Sequence, residues 1–344
     1  MATATEGIHE ATLVPWLETN VKGLVAPVTF GLVAGGRSNF TYRLTDAAGQ
    51  AYVLRRPPVK QVLATAHDMG REHRIISALR TSDVPVPEPL GFCDDPAVNG
   101  APFYVMAFVD GHIVRNSGLA GELLTETARR QASESLVDVL VAIHAVDVDA
   151  VGLGELGRRD AYIERQLKRW RGQLDHATSK VPHELLEVHD ELRGRIPEQG
   201  PAGIVHGDYR LDNCVVGDDG RVRAVLDWEL CTLGDTLADL GQMLVYWTDP
   251  DDPDLNETLV GSPTIQPGFL RRDEVAALYA ERSGRDLADL GFYLAFASWR
   301  IGCILQGVTD RYRDGAMADD EVDVEQFAER VRRSGERAAA YLSA

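Results

Sequence analysis

Asp208, Asn213 and Asp227 are the side chains in this sequence whose types and spacing could do chemistry together. The first two stand in Ile204-Val205-His206-Gly207-Asp208-Tyr209-Arg210-Leu211-Asp212-Asn213. The third follows an Asp218-Asp219-Gly220 turn, in Leu226-Asp227-Trp228-Glu229. Two apolar runs, Cys214-Val215-Val216 and Val222 to Leu226, flank that turn and predict a tight hairpin. Such a hairpin would draw the polar residues on either side of it to one point. One carboxylate to orient and deprotonate a hydroxyl, with an amide and a second carboxylate to hold Mg²⁺ on triphosphate oxygens, is the set that phosphoryl transfer requires. A His-Gly-Asp turn alone is a common way to end a strand, so the whole constellation carries the reading.

Five positions separate Asp208 from Asn213, the step between the Asp and Asn of the protein-kinase catalytic loop. His206 lies two residues before the Asp, and Gly207 replaces the usual Arg. Leu226-Asp227-Trp228-Glu229 stands where protein kinases have Asp-Phe-Gly, and Gly234-Asp235-Thr236-Leu237-Ala238-Asp239-Leu240 follows. On these motifs the chain resembles the aminoglycoside phosphotransferase and choline kinase-like family, most closely the branch that also occurs fused to acyl-CoA dehydrogenases. The resemblance implies an α+β, protein-kinase-like two-lobed fold, ATP and Mg²⁺ as cofactors, and a small-molecule hydroxyl as acceptor. It implies Asp208 as base or orienter, with His206 grouped beside it to order the loop, and Asn213 and Asp227 as metal ligands. Asp239 would support the loop backbone, while Asp212 and Glu229 would face the substrate or surround the metal. An aminoglycoside and a hydroxyacyl-CoA-type metabolite both stay open as acceptor.

The first 109 residues supply candidates for handling the nucleotide. Gly35, Gly36, Arg37, Ser38 and Asn39 form a short glycine turn between two strand-like segments, and its N–H groups could lie over phosphates. Arg55 ends the third strand, where this fold normally places a Lys, and Glu72 follows seventeen residues later in a helix. The Lys-to-Glu ion pair of kinases would here become Arg55 to Glu72, a planar fork in place of a point charge. Met106 and Phe108 lie in an extended segment whose backbone could present N–H and C=O to an adenine edge. The Arg55 departure leaves a second class open, a nucleotide-binding pseudoenzyme or regulator. A dehydrogenase would need a flavin site, and no motif for one is found.

Positioning these groups requires a sheet followed by helices. Val28 to Val33, Phe40 to Leu44, Ala51 to Arg55 and Pro102 to Val109 read as strands, with helices about Ile8 to Val21 and His67 to Arg80. The second of these helices carries Ile75, Ile76 and Leu79 on its apolar side. Val84 to Pro89 is too proline-rich for a helix. After Asp110-Gly111 the pattern turns to amphipathic helices: Leu123 to Val146, Ala161 to Leu174, Glu184 to Arg195, Thr236 to Trp247, Arg272 to Arg282, Asp286 to Leu305 and Val322 to Leu342. The expected division is a nucleotide lobe, 1–109, and a helical lobe, 110–344. Asp249 to Gly268 reads as an exposed connection able to cover the acceptor site.

Composition agrees with such an enzyme. With 344 residues and 44% hydrophobic content, the chain can bury a large core. A formal charge of −18 disfavours nonspecific binding to nucleic acid or anionic membrane. No twenty-residue apolar run occurs, and the first residues lack a basic stretch followed by an apolar one, so the expectation is a cytoplasmic protein. Cys93, Cys214, Cys231 and Cys303 are scattered without metal-site spacing and read as buried thiols.

Overall fold

The computed structural model describes residues 5–34, 39–58, 68–252, 261–314 and 323–343. Helix α1 (Glu10–Asn20) precedes three antiparallel strands, β1 (Thr29–Ala34), β2 (Phe40–Thr45) and β3 (Ala51–Arg56). Helix α2 (Met69–Leu79) is capped by Asp68, whose carboxylate accepts from the Arg71 N–H. Strand β4 (Pro89–Cys93), the short helix α3 (Pro96–Asn99) and β5 (Phe103–Ala107) complete a sheet of order β1-β2-β3-β5-β4.

β5 shows why this sheet has two covered faces. Side chains alternate along a strand, so Phe103 and Val105 point into a core shared with Leu13 and Leu17 of α1 and Leu44 and Leu54 of the sheet. Tyr104 and Met106 point the other way, onto Ile75, Ile76 and Leu79 of α2, and this second core runs on into the helices. Strand β4 was not expected from the proline-rich stretch. Pro89 begins the strand at the sheet's edge, where a missing N–H breaks no ladder.

Helices dominate thereafter: α4 (Ser117–Leu123), α5 (Glu126–Ala145), α6 (Tyr162–Asp175) and α7 (His183–Gly194). The helix expected at Leu123 to Val146 is α5, which starts three residues later because Thr125 caps it through the Ala128 N–H. Strand β6 (Gly203–Val205) enters the loop that carries Asp208, β7 (Cys214–Val216) and β8 (Val222–Val225) make the hairpin, and β9 (Thr232–Gly234) pairs back with β6. The remaining helices are α8 (Leu237–Tyr246), α9 (Arg272–Ser283), α10 (Leu290–Arg313) and α11 (Val324–Ser343). α10 starts later and runs further than the apolar pattern suggested. All four cysteines are buried free thiols. No helix among the described residues is long and apolar enough to cross a membrane.

Candidate active site

Hairpin register brings the three chemical residues together. Cys214 lies opposite Val225, and the next step of the ladder is the bond from the Leu226 N–H to the Asn213 carbonyl, 2.8 Å. Asn213 and Asp227 therefore flank the same end of the hairpin. Between β6 and β7 the chain turns through Asp208 and a short 3₁₀ turn, Leu211–Asn213. The Asn213 amide nitrogen donates to both the backbone oxygen and the carboxylate of Asp208, each at 2.8 Å. That leaves its carbonyl oxygen turned away from Asp208.

The loop is held from behind. Asp239, fully buried on α8, accepts from the His206 N–H at 2.5 Å and the Gly207 N–H at 2.8 Å. Burial alone would raise the Asp239 carboxyl, but the imidazole of His144, with His206 and the Gly207 N–H, holds it below the usual carboxylate range. Gly207 sits at φ +86°, and a Cβ there would lie 3.0 Å from Leu230. This explains why no arginine occupies the position: a side chain would be strained and crowded. His206 is sealed from solvent, with Nδ1 accepting from the Asp208 N–H at 3.2 Å and Nε2 facing the Leu226 carbonyl at 3.0 Å. Both ring nitrogens face backbone groups, an arrangement that orders the loop around Asp208.

Asp227 takes φ 64°, ψ 60°, a left-handed conformation that Asp tolerates better than most residues. Its carboxylate meets Arg55 at 3.1 Å. Arg55 also pairs with Glu72 at 2.7 Å, and both of these side chains are nearly excluded from water. Burial would lower the guanidinium pKa; the Glu72 charge, with Tyr104 and Asp227 adding to it, raises it instead. Glu229 is pushed up to about 7, first by burial and then by Asp227 beside it. The site is thus short of positive charge. Among the described residues no group of three or more His, Cys, Asp or Glu side chains could hold a metal by itself. Asp227 and the Asn213 carbonyl are hard oxygen donors that suit a Mg²⁺ completed by phosphate oxygens and water.

Of the glycine turn, Gly35, Gly36, Arg37 and Ser38 lie outside the described residues. Asn39 is buried and donates to Glu229 at 3.1 Å, bridging the sheet to the short turn that follows Asp227. Met106 is buried within β5, in register with Val53 on one side and Pro89 on the other. The ladder stops at Ala107, so the backbone of Phe108 lies beyond it, and the Phe108 ring packs under the Arg43 guanidinium at 4.6 Å.

A family model for the phosphotransferase enzyme family matches residues 29–275. The chain belongs to this family. Acyl-CoA dehydrogenase family member 10 of Mus musculus is 36% identical over 315 residues, a match that covers 87% of the chain and 28% of the mouse protein. The chain spans only about a third of the length of such curated relatives. A solved Ralstonia eutropha protein assigned to the aminoglycoside phosphotransferases superposes with a TM-score of 0.83 at 32% identity, covering 98% of both chains. A thermostable mutant of aminoglycoside phosphotransferase APH(4)-Ia, in ternary complex with AMP-PNP and hygromycin B, superposes with a TM-score of 0.62 at 18% identity, over 97% of this chain and 98% of that one. The fold is the two-lobed α+β fold of protein-kinase-like phosphotransferases.

Several residues of this phosphotransferase site were not singled out from the motifs. Arg210 approaches Asp208 at 3.3 Å and Asp212 at 3.0 Å, and its guanidinium lies 4.7 Å from the Tyr246 ring centre. Arg300, buried on α10, donates to the Gly207 carbonyl at 2.6 Å. A lone arginine inside the apolar run Ala297-Ser298-Trp299-Arg300-Ile301 is a legible signal, because a buried charge needs a partner. Arg210, Asp212 and Tyr246 line a cavity between α8, α10 and α11. Ser262 and Thr264 of the connection after α8 also line it and are buried, which corrects the expectation of an exposed segment there. Residues 253–260 of that connection lie outside the described residues.

Proposed function

We propose that the chain transfers the γ-phosphoryl group of ATP to a hydroxyl of a small molecule. The observation that carries this reading is the single cluster formed by Asp208, Asn213 and Asp227 with the Arg55–Glu72 pair. Residues 1–109 would hold the nucleotide and 110–344 the acceptor. Asp208, whose carboxylate is fixed by Asn213 and Arg210, orients the acceptor hydroxyl and accepts its proton. Asn213 and Asp227 would hold Mg²⁺, which when bound neutralises charge on the β- and γ-phosphates. Arg55, aimed by Glu72, contacts phosphate oxygens together with the turn from Gly35 to Asn39, and the backbone beyond Met106, at Phe108, faces the adenine edge. The AMP-PNP complex of a structural relative supports a nucleoside triphosphate as donor.

For the acceptor, a hydroxyacyl-CoA-type metabolite is favoured over an aminoglycoside. The cavity beside Asp208 is lined by five arginines and one carboxylate, Asp212, which suits an anion and opposes a polycation. Kinship with dehydrogenase-fused proteins supports the same choice. The test is ATP consumption with Mg²⁺ against panels of hydroxyacyl-CoAs and aminoglycosides, with Asp208→Asn as control. Turnover that persists in Asp208→Asn, or no melting-temperature gain from Mg·ATP in the wild type, would overturn the reading.

A further inference from the structure

We propose that one face of α11 is the specificity face of the acceptor cavity: Arg330 and Arg337 recognise an oxyanion group, phosphate or carboxylate, carried by the acceptor apart from its reacting hydroxyl, and Ser298 receives that molecule on the cavity floor. The proposal rests on the phosphotransfer reading and goes beyond it in naming the residues that choose the acceptor.

Arg330, Arg333 and Arg337 are spaced three and four residues apart, which stacks them on one side of a helix. All three line the cavity. The helix is anchored on a different stripe, where buried Val331, Gly335 and Ala338 face its neighbours. Gly335 has no room for a side chain, since a Cβ would lie 2.9 Å from that of Glu184. α11 therefore presents its arginines from a fixed backbone.

Their pairing separates binding groups from supporting ones. Arg333 is held by Glu329 at 2.8 Å, and Arg332, outside the cavity lining, is engaged by Glu329 and Glu336. Arg330 and Arg337 have no carboxylate partner among the described residues. Each is instead stationed near an aromatic residue of its own helix, Arg330 at 5.6 Å from the Phe327 centroid and Arg337 at 5.8 Å from that of Tyr341, whose hydroxyl also accepts from the Arg337 guanidinium at 3.4 Å. These neutral contacts position each guanidinium and leave further N–H groups of its fork for a ligand oxygen. Two guanidinium groups at one cavity without a carboxylate partner among the described residues, in a chain of net charge −18, are a local reversal of the protein's own field.

Ser298 is an independent observation at the same place. It lines the cavity, is 1% exposed, and its hydroxyl has no hydrogen-bond partner among the described residues. Helical Ser and Thr usually bond back to the carbonyl four residues earlier, as Thr309 does to Leu305 and Ser334 to Arg330. A buried hydroxyl left over from that habit is a donor for a bound molecule.

The test uses the full chain with saturating Mg·AMP-PNP, so that the nucleotide site is filled, and inorganic phosphate and kanamycin as charge probes. Thermal-shift titration should show stabilisation by phosphate and none by kanamycin. Arg330→Ala with Arg337→Ala should weaken phosphate binding by about tenfold or more, in line with the loss of charge-assisted bonds, and leave AMP-PNP affinity unchanged. Arg330→Lys with Arg337→Lys controls for folding and should recover part of the loss. Ser298→Ala should raise the KM for an anionic acceptor more than it lowers kcat. Phosphate binding equal in wild type and the double Ala variant, or kanamycin protecting the wild type better than phosphate, would overturn the proposal. Failure of AMP-PNP itself to bind would instead overturn the phosphotransfer reading.

Discussion

Arg55 and Glu72 lend themselves to a two-residue cycle whose outcome separates stability from function. The pair is 2.7 Å apart and almost fully buried, while the second contact of Arg55, to Asp227 at 3.1 Å, is to a carboxylate 31% exposed. Arg55→Ala strands the Glu72 charge in the interior, and removing one partner of a buried pair costs about 3 to 5 kcal/mol. At about 2 °C per kcal/mol for a chain of this size, the melting temperature should fall by about 6 to 10 °C. Glu72→Gln should cost less, because Asp227 still faces the guanidinium. The double variant Arg55→Met, Glu72→Leu replaces the pair with apolar side chains of similar reach and should recover most of the stability. It should not recover the melting-temperature gain from Mg·ATP, since the phosphate-facing cation is gone. Arg55→Lys should keep part of both. Differential scanning fluorimetry with and without Mg·ATP reads all four variants. If Arg55→Ala melted within about 1 °C of the wild type, the buried-charge argument would fail; if the double variant gained as much from Mg·ATP as the wild type, so would the phosphate role.

Asp227→Ala should abolish the Mg²⁺-dependent part of nucleotide stabilisation, and equal gains in variant and wild type would count against the metal assignment. Gly207→Ala places a Cβ 3.0 Å from Leu230 at φ +86°; the expected cost is about 1 to 3 kcal/mol, with a loss of turnover larger than the loss of nucleotide binding, and an unaltered enzyme would refute the loop geometry. His144 has its pKa lowered by burial, so the unfolded chain takes up a proton near pH 6.5 that the folded chain resists. Stability should therefore be full above that pH and lost as pH falls through it. His144→Gln should flatten the melting profile between about pH 7 and 5.5, leaving the contributions of His73, also lowered by burial, and of Glu229, raised to about 7, whose sign in that window is opposite; a profile unchanged by the substitution would sink this account.

Much of the nucleotide-side cluster could be read from the sequence because it is local. Asp208, Asn213 and Asp227 belong to one hairpin, and an Asp-Gly turn between apolar runs suffices to bring its ends together. The Arg55–Glu72 pair was legible from family spacing. The acceptor side was not. Its walls come from α8, α10, α11 and the segment near Ser262, more than a hundred residues of chain, and no periodicity says which helix faces meet. Arg330 and Arg337 look in sequence like any charged helix surface, and only packing shows that they lack acidic partners among the described residues. Strand β9 is illegible for a similar reason: Thr232-Leu233-Gly234 is too short to show alternation, and its partner β6 lies about thirty residues back in the chain.

α8 serves two masters. Its first turn carries Asp239, which fixes the loop bearing Asp208, and its last turns carry Met243, Val245 and Tyr246, which line the acceptor cavity. One rigid rod thus ties the position of Asp208, the proposed proton acceptor, to the inner wall of the proposed acceptor cavity, and neither can shift without the other. Divergence toward new acceptors is free to act elsewhere, on the α11 face and on the connection holding Ser262 and Thr264, neither of which touches the loop backbone. A lineage exploring new substrates would therefore vary at the carboxyl-terminal helix and that connection and hold α8 still, and an engineer seeking altered acceptors would randomise Arg330, Arg337, Ser262 and Thr264 and leave α8 untouched.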